Sequence, residues 1–132
     1  MRPFLLIVED HDALRASLRE WIQAVFPWCT VLEARSGEEA LGTSRQSPPV
    51  VVLMDIGLPG INGIETTRRL TGSVPGARVV MLTILDSDGY RRTATEAGAC
   101  AFVAKSQMHT ELLPLLGALL EPWCAEQAST SV

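Results

Sequence analysis

Neither a cysteine pair, nor a membrane-length apolar run, nor a basic surplus marks this chain of 132 residues. Cys29, Cys100 and Cys124 are odd in number, far apart and without C-x-x-C spacing. That speaks against a disulfide framework and fits reduced thiols serving as small buried hydrophobes. The apolar run Phe4-Leu5-Leu6-Ile7-Val8 is cut off at once by Glu9-Asp10-His11-Asp12, too short for the h-region of a signal peptide. No other stretch approaches a membrane span, so the expectation is a soluble cytoplasmic domain with no membrane partner. A formal charge of −4 speaks against direct nucleic-acid binding, which calls for a basic face. Trp21, Trp28 and Trp123 have no basic patch beside them and read as packing residues rather than a stacking platform. Repeats and low-complexity segments are absent. With His11 and His109 as its two histidines, the chain offers no histidine-based metal site.

What is present is a compact pattern. Hydrophobic residues make up 47% and charged residues 20% of the chain, ordinary for one folded domain. The densest signal is Val50-Val51-Val52-Leu53-Met54-Asp55, an unbroken apolar run typical of a strand buried on both faces. It ends in a carboxylate and passes into the loop Ile56-Gly57-Leu58-Pro59-Gly60-Ile61-Asn62-Gly63. Around it, strands are expected at 4–8, 30–34, 50–54, 78–82 and 101–104. Asp12 is expected to cap a first helix whose apolar face is Leu14, Leu18, Trp21, Ile22 and Val25, stopped by Pro27. Ser36 with Glu39 has capping-box spacing for a helix to about Gln46. Asn62 caps a third helix to about Leu70, followed by a turn over 71–77. Asp86-Ser87-Asp88 offers caps for a fourth, with Gly98 as its C′ residue. A last helix runs from about Thr110 to Leu120, where Pro114 leaves its start open. Residues 1–120 are read as the domain and 121–132 as a fraying tail or cut linker.

Five strands alternating with five helices predict an α/β fold with a doubly wound parallel sheet. Right-handed crossovers place the carboxyl ends of all strands on one edge, where open α/β sheets bind their ligands. Glu9-Asp10, Asp55, Thr83 and Lys105 each follow a strand and would gather there. Three close carboxylates repel unless a cation offsets them. An all-oxygen set with room for water suits Mg²⁺. A carboxylate beside Mg²⁺ and an ammonium can attack phosphorus, the two cations offsetting charge on the transferred group. The chemistry expected is transient phosphorylation of Asp55, with Thr83 as a hydrogen-bond donor to the phosphate.

At this point the chain resembles the receiver domain of two-component response regulators. The resemblance rests on Ile7-Val8-Glu9-Asp10-His11, on Met54-Asp55 through Glu65, on Leu82-Thr83, and on Glu96-Ala97-Gly98-Ala99 through Phe102 to Lys105. It spans about Arg2 to Leu120. It implies a flavodoxin-like (β/α)5 fold with strand order 2-1-3-4-5, the order of a chemotaxis receiver that is itself a standard example. It further implies Asp55 as phosphoacceptor, Asp10 as direct and Glu9 as water-mediated Mg²⁺ ligand, and the Gly57 carbonyl as another. Thr83 and Phe102 match the switch pair, and Lys105 the lysine that contacts phosphoryl oxygens. A sensor histidine kinase is the implied partner, with a homodimer on phosphorylation. Asp55 would catalyse its own phosphorylation and dephosphorylation, without turnover of a separate substrate. Ile84 is bulky where many receivers carry Ala or Ser. Ser106 stands where many have Pro. His11 and Leu82-Thr83-Ile84 look like receivers that precede a helix-turn-helix output domain.

Other classes fit less well. A haloacid-dehalogenase-type phosphohydrolase resembles D-x-D at its nucleophile, whereas Asp55-Ile56-Gly57 lacks the second acid, and its acidic pair comes last in the chain rather than first. A flavin mononucleotide binder needs a Ser/Thr/Gly-rich phosphate loop after the first strand, where Glu9-Asp10-His11-Asp12 would repel phosphate. The complete set of acids, Thr83 and Lys105 speaks against a degenerate receiver that only binds partners.

Overall fold

A computed structural model describes residues 2–84 and 88–124 of the chain. Strands β1 (Phe4–Val8), β2 (Thr30–Ala34), β3 (Val51–Asp55), β4 (Arg78–Thr83) and β5 (Ala101–Ala104) alternate with helices α1 (Asp12–Val25), α2 (Gly37–Gln46), α3 (Gly63–Ser73), α4 (Asp88–Ala97) and α5 (Met108–Leu119). The sheet is parallel throughout with order β2-β1-β3-β4-β5. This is the expected doubly wound topology.

Alternation along the strands builds two cores. Leu5 and Ile7 of β1, with Leu53, Val80, Leu82 and Val103, pack under Leu18 and Ile22 of α1 and Leu112 and Leu116 of α5. Leu6, Val8, Val52, Met54 and Met81 face the other way, toward Ala40 of α2, Ile64 and Leu70 of α3, and Ala94 and Ala97 of α4. All five residues of β3 are buried, as a central strand covered on both faces requires.

Local signals explain most boundaries. Ser36 Oγ accepts from Glu39 N at 3.1 Å and Asn62 Oδ1 from Glu65 N at 2.9 Å, so α2 and α3 start where their caps place them. Gly98, at φ +113°, closes α4: its N–H bonds Thr95 O and the Ala99 N–H bonds Ala94 O, each at 3.0 Å, a Schellman closure. The caps expected from Asp86 and Ser87 lie outside the described residues.

Several expectations are corrected. Asp12 does not cap α1; His11 is the N-cap and Asp12 begins the first turn, where its carboxylate binds Arg15 instead. Val25 is 46% exposed, because it closes the helix and the next residue, Phe26, takes the buried place. Strand β3 begins at Val51 and includes Asp55. Helix α3 continues through part of the expected turn to Ser73, its third turn fastened by Thr71 Oγ1, which donates to Thr67 O at 2.9 Å and Ala97 O at 3.1 Å. A 3-10 turn, Lys105–Gln107, leads straight into α5, two residues ahead of the expected start. Pro114 sits inside that helix; it and Thr110, whose carbonyl its missing N–H would have bonded, are both exposed, so water can take the partner's place. Residues 121–124 form one further helical turn where loss of structure was expected. Of the cysteines only Cys29 is buried, its thiol pushed up to about 11 by burial; Cys100 and Cys124 are exposed.

Candidate functional site

The parallel sheet brings the ends of β1, β3, β4 and β5 to one edge, and the polar residues there converge. Asp55 closes β3 opposite Leu82, one residue before Thr83 at the end of β4. Thr83 pairs in register with Ala104, and Lys105 comes next in the chain. Lys105 Nζ reaches Glu9 Oε1 at 2.7 Å and Asp55 Oδ2 at 3.5 Å. It is the single lysine of the sequence. A cleft of about 550 Å³ opens between these ends, lined by His11, Asp55, Gly57, Thr83, Ile84 and Lys105.

The groups are mostly withdrawn from water: Glu9 is 2%, Asp55 7% and Thr83 1% exposed. Burial and then the Glu9 charge push the Asp55 carboxyl above the ordinary carboxylate value, against the pull of Lys105 and the Gly57 N–H. Burial acts on Glu9 too, but the Lys105 and His11 hydrogen bonds outweigh it and hold that carboxyl low. The ammonium therefore belongs more to Glu9 than to Asp55. Asp55 Oδ1 accepts from Gly57 N at 3.2 Å. Glu9 Oε2 accepts from His11 N at 3.2 Å, with His11 Nδ1 at 3.4 Å.

Glu9, Asp10 and His11 each offer one ligand atom within 4.8 Å of the others. Asp10 Oδ1 is one of two buried side-chain oxygens, with Ser44 Oγ, that have no hydrogen-bond partner among the described residues. His11 Nδ1 stands 3.7 Å from the Asp10 oxygen, beyond hydrogen-bond distance, which leaves that oxygen open to a cation. Two of the three donors, Glu9 and Asp10, are carboxylates, the hard oxygens that Mg²⁺ prefers, and the third is the His11 imidazole; Asp55 faces Glu9 across Lys105.

Of the residues singled out from the sequence, Glu9, Asp10, Asp55, Gly57, Thr83 and Lys105 lie along this edge. Phe102 does not line the cleft. It is half-buried against the α3–α4 core, opposite Met81 on β4, with Arg91 Cζ of α4 at 4.6 Å from its ring centre. Sequence reasoning missed Arg15. Its side chain is buried and reaches the Glu9 carbonyl. The signal was its place on the apolar stripe of α1, three residues before Leu18 and seven before Ile22.

The family profile described as "Response regulator receiver domain" matches residues 5–116. The chain is 36% identical over 109 residues to Response regulator GacA of Pseudomonas protegens, covering 83% of this chain and 51% of that protein. It is 41% identical over 102 residues to Transcriptional activator protein ExaE of Pseudomonas putida, covering 77% and 48%. The chain thus spans about half the length of the curated relatives it matches. A crystal structure of a two-component response regulator of the LuxR family, from Aurantimonas sp. SI85-9A1, superposes with a TM-score of 0.84 at 32% identity, covering 92% of this chain and 87% of that one.

Proposed function

The chain belongs to the receiver domains of two-component response regulators, and on that premise we propose that Asp55 is its phosphoacceptor, taking a phosphoryl group from a sensor histidine kinase. The observation that carries this reading is Lys105, which links Asp55 to Glu9 although Glu9 and Lys105 lie 96 residues apart in sequence. A carboxylate with an ammonium at one side and the carboxylates of Glu9 and Asp10 close by is arranged for phosphoryl transfer.

Asp10, Glu9, Asp55 and the Gly57 carbonyl would hold Mg²⁺. When bound, the ion would offset negative charge on the phosphoryl oxygens. Asp55 supplies the attacking oxygen; as the new P–O bond forms, the donor's P–N bond breaks and its electron pair returns to the imidazole. Lys105 turns from Glu9 toward the incoming phosphoryl oxygens. The Gly57 N–H steadies the carboxylate from the loop side. Thr83 donates its hydroxyl to the phosphate, and the Thr83–Phe102 switch pair biases a two-state equilibrium. Ile84 beside the cleft limits the access of water and donor.

Residues 1–120 form the receiver unit in this reading, and 121–132 a tail or a linker to an output region. The relatives' printed names support a role in regulating transcription through that region. The chain itself is read as binding a kinase and a second copy of itself rather than DNA.

Incubation with a small phosphodonor and Mg²⁺, then intact mass measurement, tests the assignment. A gain of roughly 80 Da, one phosphoryl group, is expected, and none for Asp55→Asn. The same gain in that variant would move the acceptor elsewhere.

A further inference from the structure

Arg15 lies on the first turns of α1, 8% exposed, among Leu18 and Ile22 on the helix's buried face. Its Nη1 donates to the Glu9 carbonyl at 2.8 Å, its Nη2 to Asp12 Oδ1 at 2.7 Å and its Nε to Glu33 Oε1 at 3.2 Å. One guanidinium thus ties β1's exit, the start of α1 and edge strand β2 together. The fork geometry matters, because three acceptors in different directions need three donors on one rigid plane.

The Glu9 carbonyl belongs to the peptide plane from which Asp10 hangs. On its other side Glu9 is held by its own N–H, which bonds Ala34 O at 3.1 Å. Fixing both peptide groups of Glu9 sets where its carboxylate and that of Asp10 point. We propose that Arg15 is a positioning residue for the metal-binding corner, orienting Glu9 and Asp10 through the main chain without touching the ion. This rests on the reading that Glu9 and Asp10 hold Mg²⁺.

A purely electrostatic role would act in the opposite direction. Removing a positive charge beside an acidic corner makes its potential more negative, so Coulomb's law alone predicts tighter cation binding. Loss of positioning predicts weaker binding, as the removal of groups that orient metal ligands weakens affinity by about 10- to 100-fold. The sign of the change separates the two.

The test is calorimetric titration of Mg²⁺ into the chain, Arg15→Lys and Arg15→Met, at a temperature where melting curves show each fully folded. Arg15→Lys keeps the charge and loses the fork. Should Arg15→Met fail to fold, Arg15→Lys carries the test alone. We expect Arg15→Lys to bind Mg²⁺ several-fold more weakly and Arg15→Met about tenfold or more weakly, each at unchanged stoichiometry. A merely structural role would lower the binding fraction and leave the affinity of the folded fraction unmoved; that result overturns the inference. So does unchanged affinity in Arg15→Lys, or tighter binding in Arg15→Met. No uptake by the unsubstituted chain overturns the metal reading itself, and this inference with it.

Discussion

At Asp55 burial and the neighbouring Glu9 carboxylate act in the same direction, against the charged form. Lys105 offsets this only in part, because its shorter contact is with Glu9. A functional residue held in such surroundings works against the fold. Its raised carboxyl gives a definite sign. Below the ordinary carboxylate value Asp55 is protonated in folded and unfolded chains alike, and it has no effect; as pH rises through the folded value, the charged form destabilises. In metal-free buffer Asp55→Asn, which keeps an acceptor for the Gly57 N–H, should therefore melt a few degrees higher at neutral pH, on the order of 1 kcal/mol. The gap should close as pH falls through the ordinary carboxylate range. Parallel melting curves over that range check it, and a variant that melts lower at neutral pH would contradict the electrostatic account. Asp55, Glu9 and Lys105 were legible as sequence because each follows an apolar strand run. Arg15 was not, because a charged side chain on an apolar stripe reveals its partners only once the strand beside the helix is known.

At the scale of elements, what sequence showed tracks how local the cause is. Helices α2 and α3 start at side-chain caps three residues from their partners, so their beginnings were readable. Helix α5 has no capping side chain and continues from a 3-10 turn without a break, so no local mark set its start. The approach of α3 to the site is likewise invisible in sequence. A Cβ built on Gly63 would stand 2.1 Å from the Asp55 carbonyl oxygen, and the Gly63 N–H bonds Ile56 O at 3.0 Å. Both are main-chain atoms where β3 ends at Asp55 and passes into the following loop, and neither can swing aside. Gly63→Ala should therefore destabilise by about 2–3 kcal/mol and depress phosphorylation of Asp55 as well. Gly72, in the same helix, has nothing within 4 Å of a built Cβ. There the substitution to Ala should stabilise by about 0.5–1 kcal/mol and leave phosphorylation unchanged. Urea unfolding with the mass assay compares the pair. Equal behaviour of the two variants would mean that helix propensity, not the approach to Asp55, governs α3.

Over the whole molecule, alternation of apolar runs made the layer architecture legible, and the order of the strands came from resemblance rather than from pattern. The surface was the least readable, because exposure depends on what each element leaves uncovered. Ile84, which lines the cleft, is 81% exposed; on α4 Tyr90 is 40% exposed and Arg91 stacks over Phe102. This is apolar area on the side of the sheet where phosphorylation should act, since Thr83 and Phe102 lie on β4 and β5. Two copies meeting there would each carry a formal charge of −4 and repel at a distance. The repulsion is screened beyond roughly 8 Å at physiological ionic strength, while burial of apolar side chains is not weakened by salt. Self-association in the presence of Mg²⁺ and beryllofluoride, a phosphate mimic, should therefore strengthen as sodium chloride rises, and Ile84→Ser should reduce it. Light scattering at several protein and salt concentrations reads this out. A mass that stays monomeric at high concentration with the mimic bound would reject dimerisation, and association that weakens with salt would place charged contacts rather than this apolar face at the interface.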